Sequence, residues 1–256
     1  MKFLHSNIFL LLAVFVGIPA FPGLSKKETS QISWNLFSVS QTPNHAPKVK
    51  FNQPVEGSIH EWNEVVPYSI EISDQEDGES KYQEIQSAEV LIKMKYIVNQ
   101  PKLTAYVNQK TYPDSVGVNS MLISNCFNCH SVKMKMSGPS FSDISKRYQN
   151  TIKNQDLLIS HIRQGSKGIW GTEVMPTHSE LSDVVARQMV KWILNYAKEP
   201  DLNYLVGLQG SLPLNKPVSS APPGLFVIEA FYTDHGTVDH PENRLKGSAR
   251  IVIHMK

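Results

Sequence analysis

Cysteine is nearly absent from this chain, because only two of its 256 residues are cysteines, at positions 126 and 129. So few thiols exclude a framework of disulfides and a zinc site built from four thiolates. An excess of one charge is also lacking, since 25 basic and 23 acidic residues leave a formal net charge of +2. A charge this small, without a recognition motif, argues against a nucleic-acid partner.

Both cysteines belong to the pentapeptide Cys126-Phe127-Asn128-Cys129-His130, which has the C-x-x-C-H spacing of a c-type haem attachment site. Two thiols at this spacing can each add to one vinyl group of a haem, and the adjacent histidine can bind the iron. A zinc site would need further ligands at set spacing, and a thioredoxin-like pair normally has no such histidine. The pentapeptide therefore predicts one covalently attached haem c, with His130 as an axial ligand of its iron.

Further motifs follow the pentapeptide in the order seen in one family. They are Gly138-Pro139-Ser140-Phe141, the loop segment Val174-Met175-Pro176 and the helix start Leu181-Ser182-Asp183. On these motifs, residues 104–200 resemble the small class I monohaem cytochrome c domain. The resemblance implies an all-α haem domain that carries a single haem c.

The resemblance also implies roles for individual residues. Met175 would be the second axial ligand, and the carbonyl of Pro139 would accept a hydrogen bond from Nδ1 of His130. Such a bond fixes the tautomer of a ligand histidine and raises its basicity. Trp170, in the loop before Met175, can pack on the macrocycle or donate to a propionate. It can equally be a buried aromatic anchor, and both can hold together.

Other side chains compete for the second axial position. Four methionines are poorer candidates, because they follow the pentapeptide too closely or fall at core-facing helix positions: Met134, Met136, Met121 and Met189. His161 lies in the middle of a predicted helix, where a histidine is more often solvated. His178, only three residues after Met175, is the serious alternative ligand.

Helical periodicity is predicted at three places around these motifs. One helix is expected over residues 115–130, whose apolar residues recur at helical spacing. A second, capped by Asn154, should run to Arg163 and end at Gly165, and a third should begin at Ser182.

The segments on both sides of the predicted haem domain indicate β-structure, with apolar residues that alternate along the chain. Segments of about 50 residues without disulfides bury too little surface to be stable alone, whereas the two together have the size of an immunoglobulin-like sandwich. We therefore expect a multidomain α and β chain, in which the cytochrome c domain is inserted between two halves of one Ig-like sandwich, residues 44–103 and 201–256. The alternative is two small β elements that pack separately on the haem domain.

The first flank also resembles the Ig-like repeats of the polycystic-kidney-disease type. The resemblance lies in Val66-Pro67-Tyr68 and in Asp74-Gln75-Glu76-Asp77-Gly78. On the second flank, residues 224–236 resemble the closing strands of that fold. Similar combinations of an Ig-like repeat and a cytochrome are found in secreted bacterial proteins linked to sugar dehydrogenases.

The N-terminus predicts export. An apolar run over residues 8–18 follows Met1-Lys2, small residues at Ala20 and Ser25 offer cleavage points, and two prolines argue against a spanning helix. We expect a signal peptide over 1–25 and a linker over 26–43, which places the protein in a bacterial periplasm or at the cell surface. Membrane association is expected only if the signal stays uncleaved.

Charge is distributed unevenly along the chain. Residues 44–103 contain six Lys and ten Asp or Glu, whereas residues 104–200 contain eleven Lys or Arg and seven Asp or Glu. Five basic residues come from segments expected to border the haem: Lys133, Lys135, Lys146, Arg147 and Lys167. Such a rim would steer an acidic redox partner, although the same charges also serve ordinary solubility.

These features predict an electron carrier and not an enzyme. An iron with histidine and methionine ligands has no vacant position, which leaves outer-sphere electron transfer between a dehydrogenase donor and a downstream acceptor. One alternative is a haem enzyme or gas sensor with a labile distal ligand. Another is a surface binding module in which the haem is accessory.

Overall fold

The computed structural model describes residues 43–109 and 115–256, so the predicted signal peptide and nearly all of the predicted linker lie outside the described residues. Five strands come first: β1 (Lys48–Gln53), β2 (Ile59–His60), β3 (Val65–Asp74), β4 (Gly78–Glu79) and β5 (Leu91–Ile97). Then come α1 (Gln100–Val107), α2 (Ser115–Ile123), α3 (Phe141–Arg147), α4 (Ile152–Gln164), the short strands β6 (Ser166–Lys167) and β7 (Val174–Met175), and α5 (Asp183–Tyr196). The last strands are β8 (Leu202–Val206), β9 (Gln209–Pro213), β10 (Leu225–Thr233) and β11 (Lys246–Met255).

Two larger sheets each take strands from both sides of the helical segment. One has the strand order β2-β11-β10-β5-β8, and in the other β3 pairs with β1, β4 and β9. Residues 225–231 of β10 pair antiparallel with residues 91–97 of β5, and residues 209–213 of β9 pair with residues 65–69 of β3. The two flanks therefore share hydrogen-bonded ladders, and we call these nine strands the double-sheet region.

One hydrophobic core joins the two sheets. Strand β3 shows the expected period of two, because Val66, Tyr68, Ile70 and Ile72 are buried while the residues between them are at least partly exposed. They pack in one cluster with residues of the other sheet, among them Ile92, Met94, Tyr96, Phe226, Ile228 and Ile253. Strands β5 and β10 are buried almost throughout, since both faces of that sheet are covered.

A second core lies in the helical segment. Helices α2, α3, α4 and α5 contribute to it, and so do Leu91, Leu202 and Tyr204 of strands β5 and β8. Helices α2 and α5 cross closely at Gly117, where an added Cβ would lie 2.4 Å from the Cβ of Trp192. Ser182 begins α5 as predicted, because its hydroxyl accepts a hydrogen bond from the N–H of Val185.

Two predicted helix boundaries differ from the structure. The helix expected over 115–130 ends at Ile123, because Asn125 adopts a left-handed conformation with a φ of 58°. Helix α4 begins earlier than expected, since Thr151 is its N-cap and accepts a hydrogen bond from the N–H of Asn154. Threonine and asparagine are both good N-caps, so local preference could not choose between them.

Helix α1 crosses the predicted domain boundary at residue 104. Its buried side chains, Leu103 and Tyr106, cluster with β-strand residues of the five-stranded sheet, Ile97, Leu225 and Val227. This helix therefore covers the sheet and packs with the double-sheet region.

Leu212→Ala should destabilise the double-sheet region, although Leu212 follows the helical segment in sequence. Leu212 is 0% exposed and lies opposite Val66 in the ladder between β3 and β9. Removing a buried leucine side chain costs about 2–5 kcal/mol of the free energy of unfolding. Urea titration followed by circular dichroism measures this loss, and Ser211→Ala, at an exposed position of the same strand, is the control. A loss within about 0.5 kcal/mol, typical of surface substitutions, would contradict the shared core.

Candidate functional site

The attachment pentapeptide follows α2 in a sharp turn. After Asn125, residues Cys126–Asn128 form a short 3-10 turn. The N–H of His130 donates to the carbonyl of Cys126 at 3.0 Å, and the N–H of Gly138 donates to the carbonyl of Cys129 at 2.8 Å. The two cysteines are not joined in a disulfide, and Cys126 is more buried than Cys129. The turn thus presents two thiols and one imidazole from five consecutive residues.

The side chain of His130 is held in one tautomer. It is 7% exposed, and its Nδ1 lies 2.7 Å from the carbonyl oxygen of Pro139. A carbonyl only accepts, so Nδ1 donates, and Nε2 is left unprotonated and able to bind a metal. Burial lowers the pKa of His130, which favours this neutral form. The ring of Phe141 stacks on the imidazole, with centroids 5.2 Å apart and planes 18° apart.

A mostly apolar cavity of about 350 Å³ opens beside His130. All six side chains that the sequence assigned to the site line it: Cys126, Cys129, His130, Pro139, Trp170 and Met175. Met175 is held there by a short antiparallel pairing of β7 with β6, in which it faces Ser166. Residues from three segments of the chain therefore converge on one cavity.

These residues fit a haem c. The two thiols have the spacing needed for two thioether bonds, and His130 offers a neutral Nε2. The thioether of Met175, which lines the same cavity, would offer the iron a soft second donor. The remaining wall is largely aliphatic, which suits a macrocycle that must be kept from water: Ile144, Leu158, Ile162, Val190 and Ile193.

The competing methionines divide into two groups. Met134 and Met136 are 64% and 45% exposed and do not line the cavity. Met121 and Met189 are almost fully buried in its wall.

His178 remains the alternative to Met175 as the second ligand of the iron, because it also lines the cavity. Its Nδ1 lies 3.1 Å from the carboxylate of Glu180, and its backbone N–H donates to the carbonyl of Ile162 at 3.0 Å. The structure thus places both candidate distal ligands on the same cavity.

Two residues in or beside the cavity have surroundings that the sequence did not predict. His161, expected to be solvated on a helix face, lines the cavity, and burial lowers its pKa. Arg147 places its guanidinium 4.7 Å from the ring centroid of Trp170 and donates to the carbonyl of Ile169 at 3.0 Å. A cation on an aromatic face restrains the ring. The basic end of α3 was visible in the sequence, but its contact with a loop 23 residues later was not.

Lys133 does not belong to the basic rim that the sequence predicts. Its ammonium group donates to the carbonyls of Ala197 and Glu199, at the C-terminal end of α5. A cation is favoured there by the helix dipole. Burial lowers the pKa of Lys133 to about 8, and the nearby carboxylates oppose that change less strongly.

Comparison with known proteins places this site in a family. Residues 118–197 match the family model described as Cytochrome c. Cytochrome c-552 of Hydrogenobacter thermophilus is 36% identical to this chain over 70 residues, which is 27% of this chain and 70% of that protein. The chain belongs to the cytochrome c family.

Two further similarities concern Nitrosomonas europaea. Its cytochrome c-552 is 37% identical over 71 residues, 28% of this chain and 69% of that protein. The crystal structure of the wild-type protein matches with 33% identity and a TM-score of 0.30, and the match covers 30% of this chain and 96% of that chain. As a cytochrome c, the protein carries one covalently attached haem c with its iron.

Gly138→Ala should impair haem ligation in this cytochrome c. A Cβ at this position would lie 2.4 Å from Cε1 and 2.7 Å from Nδ1 of His130, so the imidazole or the backbone must shift, which disturbs the hydrogen bond to Pro139. We expect a lower ratio of bound haem to polypeptide and partial loss of the low-spin absorption spectrum. Ser137→Ala, at the exposed neighbouring position, is the control and should leave both unchanged. Full haem content with an unaltered spectrum in Gly138→Ala would contradict this geometry.

Lys133→Met should change how stability depends on alkaline pH. The pKa of Lys133 is about 8 in the folded protein, whereas its usual value is 10.5. At a pH between these two values, the unfolded chain keeps a proton on Lys133 that the folded chain has lost. Rising pH therefore favours the folded wild type through this group. Its free energy of unfolding, relative to Lys133→Met, should increase above about pH 8 and be smallest below it.

Urea titrations at a series of pH values measure this difference. Lys135→Met removes an exposed lysine of the same loop and controls for the loss of one basic side chain. A wild-type advantage that shrinks as the pH rises would contradict the lowered pKa of Lys133.

Proposed function

We propose that this cytochrome c is an exported electron carrier whose haem iron is held by His130 and Met175. The observation that carries the proposal is the convergence of both side chains on the cavity that Cys126 and Cys129 also line. The engaged Nδ1 of His130 leaves only Nε2 for the iron. The imidazole of His130 and the thioether of Met175 would together hold the iron and leave it no position for a substrate.

Each residue has a defined part in this function. When bound, the haem supplies a reversible one-electron change at its iron. Cys126 and Cys129 hold it covalently, so it is not lost outside the cell. The carbonyl of Pro139 keeps His130 in its ligating tautomer, and a thioether ligand at Met175 raises the reduction potential relative to two imidazoles. The aliphatic wall excludes water and lowers the local dielectric.

We further propose a redox protein partner, either a dehydrogenase donor or a downstream acceptor. The exposed basic residues Lys146 and Lys167 support an acidic docking surface on that partner, and Lys167 also lines the cavity. The N-terminal sequence supports a periplasmic or cell-surface location. No helix within residues 43–109 and 115–256 is long and apolar enough to cross a membrane.

The double-sheet region is, in our proposal, an Ig-like sandwich interrupted by the haem domain. Its support is the sharing of both sheets by strands from the two flanks and the single core between them. Domain insertion of this kind is best tolerated where the host chain forms an exposed loop.

A haem enzyme or gas sensor is the second candidate, and the position of His178 favours it. Both His178 and Met175 line the cavity, and Met175 is held by a strand of only two residues. A distal ligand on so short an element could exchange, which would open the iron to a gas or a peroxide.

Met175→Ala should remove one of the two proposed protein ligands of the haem iron, so that the iron can bind external ligands. We expect loss of the weak near-infrared band of methionine–iron ligation, rapid binding of carbon monoxide to the reduced protein, and a lower reduction potential because the thioether is gone. Absorption spectroscopy and potentiometry on the haem-loaded protein measure these changes.

His178→Ala is the matched control and should keep the band, the closed iron and the potential of the wild type. If His178→Ala loses the band while Met175→Ala keeps it, the ligand assignment is wrong. If the wild type itself binds carbon monoxide rapidly, the sensor or enzyme is the better function.

A further inference from the structure

We propose that Tyr204, a residue of the double-sheet region, positions the imidazole of His130 through a chain of packed aromatic rings. The inference rests on the proposed role of His130 as an iron ligand. It gives the double-sheet region a part in setting the electronic properties of the haem.

The chain has three consecutive ring contacts. Phe141 stacks on His130 with centroids 5.2 Å apart, and Trp192 meets Phe141 edge-on at 6.3 Å. Tyr204 then meets Trp192 at 5.5 Å, with planes 73° apart. All three contacts have the separations of favourable aromatic pairs. The first ring belongs to the ligand and the last to strand β8.

The rings of Phe141, Trp192 and Tyr204 are buried and closely packed. Phe141, Trp192 and Tyr204 are 3%, 2% and 2% exposed, and all belong to the core of the helical segment. That core also takes Leu91 and Leu202 from strands β5 and β8. Protein interiors are packed as densely as organic crystals, so a displaced ring must displace its neighbours.

Tyr204 is anchored at the end of the aromatic chain that is farther from His130. It pairs with Lys93 in the ladder between β8 and β5. The ammonium of Lys93 lies 5.8 Å from the Tyr204 ring centroid and 5.6 Å from that of Tyr106. Lys93 is itself 4% exposed, so the outer end of the aromatic chain is fixed by a sheet and a buried charge.

The consequence for the haem follows from the other contact of His130. Stacking against Phe141 holds the imidazole plane in the direction that lets Nδ1 donate to Pro139 at 2.7 Å. That hydrogen bond makes the imidazole a stronger electron donor and so favours ferric iron. If the chain is loosened at Tyr204, the bond weakens, ferric iron is less favoured and the reduction potential rises.

The test compares Tyr204→Leu, which removes the ring, with Tyr204→Phe, which keeps it. We expect a higher reduction potential and broadened low-spin electron paramagnetic resonance features in the first variant, and wild-type values in the second. Leu202→Ala is the matched control, because Leu202 lies on the same strand and in the same core but outside the aromatic chain. It should lower stability and leave the potential and the resonance spectrum unchanged.

Phe141→Leu acts directly beside the ligand and keeps the test decisive if Tyr204→Leu does not accumulate. It should shift both readouts in the same direction as Tyr204→Leu. A wild-type potential and spectrum in Tyr204→Leu or in Phe141→Leu would overturn the inference, as would an equal shift in Leu202→Ala. Failure of the proposed function looks different, because the wild type itself would then lack a low-spin spectrum with a histidine ligand.

Discussion

The hydrogen bond from Nδ1 of His130 to the carbonyl of Pro139 is the contact on which the haem side of this protein depends. It selects the tautomer that leaves Nε2 unprotonated and able to bind a metal, and it fixes the direction in which the ring points. The bond forms because Gly138 has no side chain to push the imidazole away. Phe141 then covers the ring from the neighbouring position on α3. Gly138, Pro139 and Phe141 therefore fix the tautomer and the orientation of the His130 ring, and so the position of its Nε2 atom.

The double-sheet region also packs against the helical segment that carries this site. Its strands β5 and β8 place Leu91, Leu202 and Tyr204 in the core of the helical segment, where Tyr204 packs on Trp192. Near the same strands, Lys133 donates hydrogen bonds to the carbonyls of Ala197 and Glu199, where the chain leaves α5 toward β8. Lys95 of β5 forms ion pairs with Glu199 and Asp201 beside it. The haem domain therefore shares packing and polar contacts with the region that flanks it in sequence.

Local signals in the sequence predicted the parts of the fold that depend on nearby residues. Ser182 caps α5 because its hydroxyl reaches an N–H three residues on, which is a contact within one turn. Alternation predicted β3, because one of its faces is buried. Where two local choices were equally good, as with Thr151 and Asn154, packing made the selection. Lys133 and His161 were misplaced for a similar reason, since their surroundings come from chain segments that are far away in sequence.

The sequence by itself determined the chemistry of the protein. The spacing of Cys126, Cys129 and His130 is a property of five consecutive residues, so it needs no knowledge of the fold. Met175 was predicted as a ligand by resemblance, from its place in an ordered set of motifs, and that role stays a prediction. Only the tertiary structure decided that the two flanks share their sheets, that Arg147 lies against Trp170, and that ring contacts connect Tyr204 to His130 through Trp192 and Phe141. Those contacts join residues many positions apart, and long-range contacts are chosen by shape and burial across the whole molecule.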